Sequence, residues 1–132
     1  MSTRGFYVFF DGERGRFKLG DLNVYRHCDN YPSGAAEALN AAMAKAWELP
    51  RFEADEFAAA FIAANKDVAG GLRCFPSGPW QDVAPGDVEY IYFVTARSGK
   101  IHVTCAEPGK HLFEGTLDQF SEWAEKREAD NA

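Results

Sequence analysis

A chain of 132 residues with 46% hydrophobic and 14% aromatic content is long enough to bury one sizeable core, and one domain is the expectation at this length. Its 14 Lys and Arg stand against 20 Asp and Glu, a net charge of -6 that repels phosphate backbones and argues against direct nucleic-acid binding, while leaving a basic protein surface as a natural counterpart. Cys28, Cys74 and Cys105 are odd in number and far apart, with no C-x-x-C pair, which points to free thiols in a reducing compartment. No stretch reaches the apolar length of a membrane span or a signal sequence, so a cytoplasmic protein is expected.

Phe6 to Phe10 is an apolar run closed by the turn dipeptide Asp11-Gly12 and reads as a buried or edge strand. Glu13 to Arg16 is polar loop, order returns from Phe17, and Leu22 to Cys28 reads as a second strand. Strand alternation puts Leu22, Val24, Arg26 and Cys28 on one face and Asn23, Tyr25 and His27 on the other, so Arg26 and His27 point apart. Pro32-Ser33-Gly34 opens a helix with Ser33 as the expected N-cap; Leu39, Met43, Ala46 and Trp47 keep helical spacing to about Glu48, ahead of Pro50.

A second helix is expected over Ala54 to Lys66, with Phe57, Phe61 and Ala64 on its apolar stripe, and Gly70-Gly71 ends it. Leu72 to Phe75 is a short strand, followed by a long loop punctuated by Pro76, Gly78, Pro79, Pro85 and Gly86. Val88 to Ala96 and Lys100 to Ala106 alternate around Ser98-Gly99 and form a β-hairpin. A two-residue loop sets its register: Ala96 faces Ile101, Val94 faces Val103 and Tyr92 faces Cys105 on the core side. The other side carries Thr95 with His102, Phe93 with Thr104, and Ile91, a mixed face that suggests self-association through Ile91, Phe93 and His102 or a second covering layer.

Leu112 to Glu114 is expected to add a third strand of the meander. Thr116 and Gln119 have capping-box spacing before a terminal helix carrying Leu117, Phe120, Trp123 and Ala124, and the tail from about 127 to 132 is expected to fray. The pattern predicts an α+β fold: one compact domain over residues 1–132, with a mainly antiparallel sheet and helices packed on one face.

Chemically able side chains concentrate at the second strand's end. Tyr25, Arg26, His27, Asp29 and Tyr31 precede a helix start, whose free N–H groups attract negative charge, and the aromatic rings offer stacking, so an anionic or nucleotide-like ligand is one reading. The other is turn chemistry, with Asp29 and Asn30 bonding local backbone. His27 and Cys28 lie on opposite strand faces, which rules out a dyad between them; the scattered His and Cys residues give no metal site, and no motif calls for a cofactor. Trp80, in the long loop, is either a lid or partner-binding anchor or a cover for the core.

The segment Val24-Tyr25-Arg26-His27-Cys28-Asp29-Asn30-Tyr31-Pro32-Ser33-Gly34 resembles a tyrosine-arginine-histidine-tryptophan-aspartate-glycine-tyrosine-proline segment of small phage and prophage proteins. Asp87 to Tyr92 and Leu112 to Leu117 are similar to later segments of that family. Cys28 stands where the family commonly has Trp, and Asn30 where it has Gly; Asn tolerates positive φ and can keep the turn. The resemblance brings no activity or catalytic residues. It implies a mobile-element setting, in which a small acidic protein acts in the host cytoplasm against a defence component.

The leading expectation is therefore a non-enzymatic, counter-defence binding protein. It would occupy a host protein complex through an acidic and aromatic surface, or sequester a nucleotide signal near Arg26, His27 and Tyr31. An enzyme acting on a nucleotide or nucleic acid with His27 as acid or base, assisted by Asp29 or Tyr31, and a structural homodimer are the alternatives.

Overall fold

The computed structural model describes residues 3–11, 22–67 and 71–130. Ten elements follow one another: β1 (Gly5–Phe9), β2 (Leu22–Arg26), α1 (Pro32–Met43), α2 (Ala54–Asn65), β3 (Leu72–Phe75), α3 (Trp80–Val83), β4 (Tyr90–Arg97), β5 (Lys100–Glu107), β6 (Lys110–Thr116) and α4 (Leu117–Asp130). The strands form one sheet in the order β3-β2-β1-β4-β5-β6. Every pairing is antiparallel except β1 with β4, where Phe6 lies beside Ile91 and Val8 beside Phe93. The expected α+β domain with a mainly antiparallel sheet is what forms.

Strand alternation divides the interior in two. Tyr7, Phe9, Val24, Tyr92, Val94, Ile101, Val103 and Cys105 face α1, α2 and α4, which bring Leu39, Phe57, Phe61, Leu117 and Phe120 onto them. Phe6, Val8, Tyr25, Ile91 and Phe93 face the other way and form a second cluster, against which Phe75, Trp80, Val83 and Ala84 pack. The three long helices thus share one face, as expected, and the single turn α3 covers part of the other. This decides between two pairs of alternatives that the sequence left open, against a partner anchor at Trp80 and against a self-association face on the hairpin. Trp80 packs on the second cluster away from the turn, and Ile91 and Phe93 are buried by their own chain, which leaves no apolar self-association face there. Only His102, half-buried, keeps access to solvent.

The hairpin register is the expected one, pair by pair, with Ser98 and Gly99 both at positive φ as a tight two-residue turn requires. The capping box also forms: Thr116 N–H donates to Gln119 Oε1 at 2.9 Å and Gln119 N–H to Thr116 Oγ1 at 3.2 Å. Helix α1 ends at Met43 rather than near Glu48, because Trp47 N–H turns to the Glu56 carboxylate at 3.0 Å and the chain leaves the helix ladder. Helix α4 continues through Asp130 where fraying was expected from Arg127; the Arg127 guanidinium lies 5.4 Å from the Trp123 ring centre and ties down that last turn. Asp11 Oδ1 accepts the Ala54 N–H at 2.7 Å, so the end of β1 caps α2. The expected loop over Glu13 to Arg16, the order from Phe17, and Gly12 and Gly70 lie outside the described residues.

Candidate functional site

The turn after β2 is built around Asn30, which is 0% exposed. Its Nδ2 donates to the carbonyls of Arg26 at 2.7 Å, Cys28 at 2.9 Å and Thr3 at 3.0 Å. Its Oδ1 accepts the Tyr7 hydroxyl at 2.6 Å and an Arg26 guanidinium N–H at 3.3 Å, and its backbone carbonyl accepts the Tyr92 hydroxyl at 2.6 Å. Gly5 permits this approach, since a Cβ there would meet Asn30 Cβ at 2.5 Å. Turn chemistry is therefore the correct reading of Asn30.

Three details differ from expectation. The positive φ falls on Asp29, at 63°, and not on Asn30, whose side chain is instead spent on the backbone around it. Tyr31, not Ser33, is the N-cap of α1 and makes no side-chain cap bond; Pro32, with no N–H to satisfy, takes the first helical position and moves Ser33 inside the helix. Gly34 packs against the Asp29 carbonyl so closely that a Cβ would collide with it.

Arg26 and His27 point apart as strand alternation requires. Arg26 reaches toward Asn30, while His27 Nδ1 shares a hydrogen bond of 2.8 Å with the Tyr25 hydroxyl on the opposite face. Arg26, His27 and Asp29 meet again only in a cleft of about 110 Å³ beside Asn65 and Gly71. That is small against the roughly 300–1,000 Å³ usual for small-molecule sites. Tyr31 shares a cleft of about 380 Å³ with Arg26, Asp29, Gly34 and Glu37. Forty per cent exposed, it also lines a cleft of about 390 Å³ with Pro32, Ser33, Tyr90, Ala124, Arg127 and Glu128. The expected constellation thus divides into Tyr25 with His27 and Arg26 with Asp29 and Tyr31, Tyr31 also reaching the end of α4, and Trp80 joins neither group.

Burial governs the ionisation of the inner groups. It raises the phenols of Tyr7 and Tyr92 above their ordinary 10.0, although Arg26 opposes the shift at Tyr7. It also pushes the Cys105 thiol up to about 12, against a lowering contribution from the Tyr92 hydrogen bond. Desolvation, with Arg97 nearby, lowers His102, partly opposed by Glu114. Sequence reasoning missed Tyr7 and Tyr92, the phenols that hold the turn from beneath. Their signal is the alternation that puts both on the core side, where a hydroxyl must find a partner.

Among the described residues, no group of three or more His, Cys, Asp or Glu is placed to hold a metal ion, and no helix is long and apolar enough to cross a membrane. A scan against protein-family models and searches of curated proteins and of solved structures match nothing to this chain.

Proposed function

We propose that the chain is a small non-enzymatic binding protein of phage or prophage type that acts by occupying a host defence protein complex. The observation that carries the reading is the surface around Tyr31. Tyr90 and the exposed Tyr31 line one cleft together with Ala124, Arg127 and Glu128 at the end of α4. That helix presents Asp118, Glu122, Glu125, Glu128 and Asp130 to solvent. Aromatic anchors beside like charges suit a protein partner with a basic rim, because rings contribute buried area and charges steer the encounter. The resemblance of the Val24 to Gly34 segment to phage proteins supplies the setting. Asn30 of that segment is spent, with Tyr7 of β1 and Tyr92 of β4, on holding the turn, which leaves the segment's outer side chains for recognition.

Tagged protein used to capture partners from host extract tests this. The wild type is expected to retain a host protein complex in fixed proportion, less so as salt rises. Tyr31→Ala and the charge reversal Glu125→Lys/Glu128→Lys are each expected to lose it at unchanged melting temperature. A wild type that retains no protein, or variants that retain it equally, would contradict the reading.

A further inference from the structure

Strands β2 and β3 end beside a second concavity, of about 520 Å³, lined by Tyr25, His27, Lys66, Arg73, Pro85 and Asp87 among others. Register explains how it forms. Arg73 stands opposite Tyr25, and the pairing runs on to a hydrogen bond of 3.0 Å from His27 N–H to the Gly71 carbonyl. Gly71, at φ 133°, carries no side chain; a Cβ there would come within 3.0 Å of His27 Cβ. Lys66 arrives from the end of α2 and Asp87 from the segment before β4.

We propose that this concavity is an anion site that takes the phosphate of a small phosphomonoester, with Lys66, Arg73 and the Nε2 of His27 as its donors. The first support is charge. Among the described residues, Asp87 is the one carboxylate lining the concavity, and Arg4 Nε lies 3.0 Å from its Oδ2, an ion pair that neutralises it. Lys66 and Arg73 make no ion pair among the described residues, which leaves a surplus of positive charge on a chain whose net charge is -6. Such a local reversal concentrates anions at one point of an otherwise repelling surface.

The second support is the Tyr25–His27 pair. Burial raises the Tyr25 phenol above its ordinary 10.0 and keeps it protonated, although Arg4 opposes the shift. The Tyr25 hydroxyl lies 2.8 Å from His27 Nδ1, a hydrogen bond that fixes the ring and leaves Nε2 outside the pair. The imidazole is held in place at the wall of the concavity. Leu72 and Pro85 add apolar wall, and the volume exceeds what a bare phosphate fills, so the ligand carries a compact group beside its phosphate.

This site is separate from the Tyr31 cleft and does not depend on the protein-partner reading. Calorimetric titration with AMP, inorganic phosphate and adenosine tests it. AMP is expected to bind saturably, phosphate more weakly and adenosine not at all. Lys66→Met/Arg73→Met, two exposed side chains whose loss spares the core, is expected to weaken AMP roughly ten- to a hundredfold at unchanged melting temperature. Tyr31→Ala should bind AMP as the wild type does, whatever its effect on capture of a host protein. Phosphate binding as tightly as AMP, adenosine binding equally well, no saturable binding of AMP, or a double variant that binds unchanged would each overturn the proposal.

Discussion

Burying Asn30 takes a carboxamide out of water at a cost of several kcal/mol in an apolar surrounding, and the cost is offset because both side-chain atoms find partners in the folded chain. The same low dielectric acts on the groups that surround it. Tyr7 and Tyr92 are held neutral, as is the buried Cys105. All three have folded pKa values above their unfolded ones. Their contribution to stability is therefore whole below the ordinary 9.0 of the thiol and 10.0 of the phenols, and is lost as pH rises through the folded values. Urea midpoints are expected to hold up to about pH 9.0 and to fall beyond it. A disulfide reagent should modify the exposed Cys28 and Cys74 in the native protein and reach the buried Cys105 only on unfolding. A midpoint that stays level to pH 12, or prompt modification of all three thiols, would show that the interior is wetter than described here.

At the scale of elements, how much could be read ahead depended on how local the cause was. The β4–β5 register follows from a two-residue turn, and the α4 start follows from residues three apart, so both are written within a few positions. Thr116→Ala should cost about 1 kcal/mol of unfolding free energy, because it removes the acceptor for Gln119 N–H at the first turn. A change under a few tenths would mean the reciprocal Gln119 bond suffices. The parallel pairing of β1 with β4 joins strands separated by most of the chain and leaves no periodic trace. The end of α1 was hidden because Met43, Ala46 and Trp47 keep helical spacing, while the bond that draws Trp47 away comes from Glu56 in α2. The turn itself was half legible: Asp29 and Asn30 both suit a turn, and which of them takes positive φ is settled by Tyr7, Arg26 and Tyr92 beneath it.

For the whole molecule, a sheet covered on both faces changes what the hairpin can do. Phe93 looked like half of an interface in the sequence, but it is 6% exposed, within the cluster that Trp80 and Val83 help to cover. Phe93→Asp is expected to destabilise the monomer by about 3 kcal/mol or more, through an unpaired buried charge, instead of splitting an assembly. Sedimentation together with melting distinguishes the two outcomes. A variant that melts like the wild type but has lost a dimer would restore the interface. With Phe93 buried, the Tyr31 cleft with α4 and the concavity beside the ends of β2 and β3 are the surfaces on which the proposed functions rest.

The central claim is that the Val24 to Gly34 segment has a buried half that holds the fold and an outer half free for contact. Urea unfolding of Asn30→Ala and Tyr31→Ala side by side tests it most directly. Asn30→Ala should lose about 3 kcal/mol, since it strands the Tyr7 hydroxyl and the carbonyls of Arg26 and Cys28. Tyr31→Ala, at an exposed position without a side-chain cap bond, should stay within about 0.5 kcal/mol of the wild type. Equal losses in the two variants, or a tolerated Asn30→Ala, would contradict the claim.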